Sequence, residues 1–175
     1  MSAPALTRPD PPRAPFFGAL LARFHIDFDR ADPQPSWWRW ALATVVSLAG
    51  SLAADAALVA AGESVFPTTK HFVHFRFSDY AKLTVIGVVV ACVAWPVVTR
   101  ITSQPRWLFV RMAVVVTLVL LLPDLYIWHL GEPVRAVGVL MLMHLAIALV
   151  TYNALVRIAP AGDSRVTGGG LATRG

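Results

Sequence analysis

Charge is scarce in this chain. Only 14% of its 175 residues are Asp, Glu, Lys or Arg, while 57% are hydrophobic; a soluble domain carries roughly 25% charged residues. That deficit excludes an ordinary water-soluble domain and points to a membrane protein. Cysteine is almost absent: Cys92 stands alone, which excludes an intramolecular disulfide and a multi-cysteine metal site and leaves a packing residue in an apolar run. No glycine-rich phosphate loop, His-Glu-x-x-His zinc helix or nucleophile elbow is present, so no catalytic residue, metal site or cofactor is expected and the chain does not read as an enzyme. The formal charge of +5 comes without a basic stripe interleaved with aromatics, so nucleic acid is not an expected partner.

What is present is long apolar runs, and about 20 such residues cross the hydrocarbon core at 1.5 Å each. The expected architecture is all-α: an integral membrane four-helix bundle with a short N-terminal amphipathic helix. Residues 1–15 carry Pro4, Pro9, Pro11, Pro12 and Pro15 and read as a disordered tail; no signal-peptide pattern is seen. Over 16–30, Phe17, Leu20, Leu21, Phe24 and Phe28 recur at helical spacing against Arg23, Asp27 and Arg30. Two readings stay open for this amphipathic segment: it lies in the membrane interface, or it packs on the protein's own end.

The four-span domain covers 37–158. Trp37, Trp38 and Trp40 around Arg39 read as an interfacial belt before the first span, about 38–62. The loop Lys70-His-Phe-Val-His-Phe-Arg-Phe77 alternates aromatic and basic residues and is expected to be extended or interfacial. The second span runs over about 80–98, with a Gly87/Ala91 pair that would admit a neighbouring helix. The third covers about 107–126, with Arg111 one turn inside and Pro123-Asp124 read as its termination or, alternatively, as a break whose freed carbonyls help coordinate a cation; the fourth covers about 134–156. Residues 159–175, with Gly168 to Gly170, read as a flexible tail. No internal repeat is seen.

With four spans, Arg8, Arg13, Arg23, Arg30, Arg39, Arg100, Arg106, Arg111, Arg157, Arg165 and Arg174 fall on one side. Lys70, Arg76, Lys82 and Arg135 fall on the other. By the positive-inside rule both termini are expected in the cytoplasm of a cell whose plasma membrane holds the protein.

The polar residues within the spans are few. At 1.5 Å per residue, Asp55, Lys82, Asp124 and His144 all fall between the midplane and the outer boundary, as a candidate polar pocket open to the outside. A carboxylate at such depth costs about 2.5–3.5 kcal/mol on insertion scales unless it is protonated, paired or hydrated. Lys82 is the expected counter-ion of Asp55, with Ser51 a second partner one turn earlier. Each polar group has a functional reading, as a proton- or cation-binding site, and a structural one, as a buried cluster that sets helix register. His129 lies too far above His144 for a paired haem ligation, and His71 and His74 lack further ligands nearby in the sequence.

The small-residue first span from Ser51 to Gly62, the arginine-bounded second loop, Leu121-Leu-Pro-Asp-Leu125 and Met143-His-Leu145 together resemble a family of small four-span actinobacterial membrane proteins of unknown function. The likeness covers about 38–158. It implies the four-span architecture and an actinobacterial plasma membrane, but no reaction; Asp55 departs from the amide often found at its position in that family. The leading expectation is a non-enzymatic accessory or scaffold subunit. Its partners would be the lipid bilayer and either another membrane protein or a second copy of the chain, as an oligomer. The alternative is a small proton- or cation-coupled carrier built on an intramembrane Asp/His pocket.

Overall fold

A computed structural model describes residues 16–23, 25–26, 34–67 and 72–161. Within them lie five α-helices: α1 (Phe16–Arg23), α2 (Trp37–Val65), α3 (Phe77–Ile101), α4 (Pro105–His129) and α5 (Val134–Ile158). Helices α2 to α5 are each long and apolar enough to cross a membrane, and no strand occurs among the described residues. The expected tails, 1–15 and most of 159–175, fall outside the described residues, as do Lys70 and His71.

The bundle is organised by one face of α2. Ala43, Ser47, Ser51, Asp55, Val59 and Gly62 are all buried, and their spacing of mostly four residues lines them up on one side. Small side chains let α5 approach closely, as van der Waals packing between membrane helices requires. A Cβ on Gly62 would meet Val139 Cγ2 at 2.9 Å, and one on Gly50 would meet Val150 Cγ1 at 2.9 Å. α2 and α5 therefore form the closest pair, antiparallel, with α3 against α2 and α4 against α5. α3 and α4 touch each other little.

The end that carries the start of α2 and the finish of α5 is tied by polar contacts. The last carbonyls of a helix have no partner within it. Here Arg39 Nε donates to the Ile158 carbonyl at 2.7 Å and Trp95 Nε1 to the Ala159 carbonyl at 2.8 Å. Pro96 inside α3 removes the amide that would bond the Cys92 carbonyl; Trp40 Nε1 supplies that bond instead, at 2.9 Å. Trp37 and Trp38 are exposed as an interfacial belt would be, but Trp40 is half-buried and turned into the bundle. Arg111 lies over the Trp107 ring, 3.8 Å from its centroid, a cation–π contact at the end of the span.

Several expectations are corrected. Among the described residues the N-terminal helix stops at Arg23, short of the expected 16–30; residues 24 and 27–30 lie outside them. His25 adopts a left-handed conformation (φ 53°), with His25 N bonded to Ala22 O and Ile26 N to Leu21 O, the paired bonds of a Schellman stop. Ile26 then pairs with Thr102, and Ser103 N donates to His25 O, so the end of this segment rests on the α3–α4 loop. Gly131 (φ 98°) closes α4 by the same arrangement, with Gly131 N to Trp128 O and Glu132 N to Ile127 O. α4 does not end at Pro123; it continues to His129, because in a bilayer the backbone groups beyond the proline still need partners and continuing the helix supplies them. The loop after α2 is not wholly superficial: a 3-10 turn (Val73–Phe75) buries Phe75 against Val59, Tyr80, Ala136, Val139 and Met143.

Two alanine substitutions separate close packing from open space. Gly62→Ala must displace Val139 and is expected to cost about 1–3 kcal/mol. Gly138→Ala, whose Cβ meets nothing within 4 Å, is expected to be neutral or stabilising by about 0.5–1 kcal/mol. Equilibrium unfolding in mixed lipid–detergent micelles measures both.

Candidate functional site

Apolar side chains form two separate clusters. One, around Trp95, Phe109 and Leu155, lies toward the chain-terminal end; the other, around Val59, Tyr80 and Met143, lies toward the opposite end. Between them is a layer of polar side chains: Ser47, Ser51 and Asp55 on α2, Thr84 on α3, Thr117 and Asp124 on α4, and His144 and Thr151 on α5. In a medium without water, each of these must find a partner inside the protein or open on a cavity.

A cavity of about 640 Å³ adjoins this layer, between α3 and α4 and floored by α5. It exists because α3 and α4 each pack on a different member of the α2–α5 pair. Its rims carry exposed apolar residues, among them Leu83, Ile86 and Val90 on α3 and Val116 and Leu120 on α4, so the cleft faces the lipid side. At the far end it reaches His74, Asp79 and Tyr80. Toward the chain-terminal end it stops at Phe109 and Tyr152, whose rings stack at 6.0 Å, with Trp95 edge-on behind Phe109 at 4.9 Å. The Gly87/Ala91 pair does not seat a helix: both residues line the cleft, and nothing lies within 4 Å of a Cβ on Gly87.

Two of the four sequence-predicted residues meet in the cleft. Asp124, 5% exposed, and His144 both line it, and Asp124 Oδ2 is 3.0 Å from His144 Nδ1. The same nitrogen is 3.0 Å from the Leu140 carbonyl. Both neighbours of Nδ1 are acceptors, so Nδ1 carries a proton, and the nitrogen free to gain or lose one is Nε2. The Nδ1 proton is aligned with the Leu140 carbonyl, which leaves Asp124 Oδ2 in charge contact but without an aligned hydrogen-bond donor.

Asp55 is fully buried on α2, behind the cleft wall. Its partner is Thr84, whose Oγ1 donates to Asp55 Oδ2 at 2.6 Å; Oδ1 is buried without a hydrogen bond. It lies close enough to His144 for their charges to interact. The expected partners are corrected. Lys82 is exposed and off the cleft, because two residues along a helix is about 200° of rotation and only Thr84 can face α2. Ser51 turns toward α5, with its Oγ 3.5 Å from Thr151 Oγ1.

Thr84, Thr117, Thr151 and Tyr152 are site residues that the sequence does not single out. Depth would have found Thr84: it lies about 10 Å below the start of α3, near the level of Asp55, about 15 Å from the end of α2. His74 is exposed, and its ring meets Phe72 edge-on at 5.2 Å. Among the described residues no three His, Cys, Asp or Glu side chains converge.

The two candidate partners of Asp55 make opposite forecasts. Thr84→Val strips the donor from a buried carboxylate and is expected to cost about 1–3 kcal/mol. Lys82→Gln is expected to change stability by no more than about 0.5 kcal/mol. Unfolding midpoints of the two variants decide between them.

No curated protein and no solved structure matches the chain. The family-level resemblance drawn from the spans is borne out in its coarser part, since residues 31–161 match the pattern of one family across all four long helices. The chain belongs to DUF6069, a family of unknown function.

Proposed function

We propose that this multi-pass membrane protein is a small, non-enzymatic carrier that binds its substrate in the α3–α4–α5 cleft and couples that binding to a proton or cation. The carrying observation is the Asp124–His144 contact of 3.0 Å in the wall of a cleft of about 640 Å³. A volume of this size suits a small ligand. The pair supplies what coupling needs. When Nε2 of His144 gains a proton, the imidazolium and the Asp124 carboxylate sum to zero charge; when it loses the proton, the pair carries one negative charge. Other ionisable groups face the pair from each side: Asp55 behind Thr84, Asp79, Tyr80 and His74 toward the far end, and Tyr152 at the floor. The stacked rings of Phe109 and Tyr152 act as the inner gate in this reading. In this reading the arginine bias supports cytoplasmic termini with the far end outside, and the family resemblance supports an actinobacterial plasma membrane.

The accessory-subunit reading is second, and one observation favours it: Gly87 borders open space that no helix among the described residues fills. Co-purification from mild detergent with a stable membrane partner would advance it.

Proteoliposomes loaded with a pH indicator and given a valinomycin-imposed potential test the carrier. Wild-type protein is expected to admit protons faster than protein-free vesicles, and Asp124→Asn and His144→Ala to slow this by about tenfold or more. Unchanged flux in both variants would leave the pair a purely structural role.

A further inference from the structure

The cleft is selective in the sign of its charges. Its ionisable lining is Asp79, Asp124, His74, His144, Tyr80 and Tyr152, with no lysine or arginine among the described residues. The basic residues nearby are held elsewhere: Arg111 lies over Trp107, Arg135 lies over Phe66, and Lys82 is exposed off the cleft. An anion entering here would meet two carboxyl groups and no permanent cation. A positive centre would meet the edge of the Asp124 carboxylate, which lines the cleft at 5% exposure, while its buried Oδ2 has no aligned donor to neutralise it. The remaining surface is aliphatic, and the floor is a pair of stacked aromatic rings, a surface that also favours a cation over its face.

We infer that the ligand of this cleft is a lipophilic organic cation, seated with its positive centre against Asp124 and its apolar groups against Val90, Val116 and Leu120. The inference rests on the cleft being the substrate site. Charge complementarity carries it: an apolar hollow open to the lipid side concentrates amphiphiles, and a buried acid whose basic neighbour is a histidine able to shed its proton selects the positive ones. Exchange follows from the same geometry. With His144 doubly protonated, the pair is neutral. A cation arriving beside Asp124 repels the imidazolium, which releases its Nε2 proton to water at the far end of the cleft. One cation enters and one proton leaves, so the site's net charge is unchanged.

The test uses the whole protein in lipid nanodiscs, with empty nanodiscs as the baseline. Its three probes are tetraphenylphosphonium, tetraphenylborate and decylubiquinone: a lipophilic cation, a lipophilic anion and a neutral amphiphile. Tetraphenylphosphonium is expected to bind and to release protons into weakly buffered solution; it has no titratable group, so those protons come from the protein. Asp124→Asn should weaken binding by about tenfold or more. His144→Gln should keep binding and lose the proton release, a split that a merely structural role would not produce. Lys82→Gln should match the wild type. Gly87→Trp places a large side chain in the open side of the cleft and should block binding even if Asp124→Asn fails to fold. If tetraphenylborate or decylubiquinone binds as well as the cation and Gly87→Trp blocks it, the cation assignment is overturned while the cleft stands as a ligand site. If no probe binds above the baseline, or Gly87→Trp leaves binding intact, both the assignment and the cleft reading fall.

Discussion

The close approach of α2 and α5 is the constraint on which the rest of the bundle depends. In a bilayer, burying one apolar helix against another gains little from leaving the solvent, because lipid is as apolar as leucine; contact and hydrogen bonding must do the work. A stripe running from Ala43 through Ser47, Ser51 and Asp55 to Gly62 presents little bulk, so α5 can come near enough for Val139 and Val150 to abut the glycines. Once that pair is formed, α3 and α4 lean on different partners and part from each other. The cleft is what remains between them. It is a consequence of packing, not a separate feature laid over it.

Satisfaction of backbone groups fixes the two ends. Pro96 would leave the Cys92 carbonyl without a partner, and the Trp40 indole takes that place. The last carbonyls of α5 receive Arg39 and Trp95. These contacts join α2, α3 and α5 at one end, where the aromatic floor of the cleft also lies. The opposite end is held by aliphatic packing around Phe75 and Tyr80 and carries no comparable set of side-chain to carbonyl bonds among the described residues. A bundle pinned at one end and packed more simply at the other is suited to a site that opens toward the second.

The polar layer divides into two kinds of carboxylate. Asp55 is sealed in the wall, tied to Thr84, and within electrostatic range of His144. Asp124 borders the cleft and meets the histidine directly. A group shut away from the cavity sets register and field, whereas a group on the cavity surface can meet a ligand. That separation moves the centre of the chemistry from α2 to α4 and α5.

Much of the architecture was legible in the sequence for a simple reason. A bilayer admits few ways to satisfy a backbone, so four long apolar runs imply four helices, and their observed bounds exceed the expected ones by only a few residues at either end. The depth of a polar residue also follows from counting along a helix, which put Asp55, Lys82, Asp124 and His144 between the midplane and the outer boundary. Rotation about the helix axis does not follow from such counting, since neighbours in sequence point about 100° apart. Hence Lys82 was paired with Asp55 where Thr84 is, and Gly87 was given a helix where the structure has a cavity. Pro123 looked like a terminus because its lost bond is local, while the need of every later backbone group for a partner in lipid, which carries α4 on to His129, is not. The sequence by itself determined the number, length and depth of the helices, because these depend on one-dimensional runs of hydrophobicity. Only the tertiary structure decided which helix faces which, because that depends on the fit of small side chains across an interface, and it thereby decided that Asp124 and His144 share a cleft.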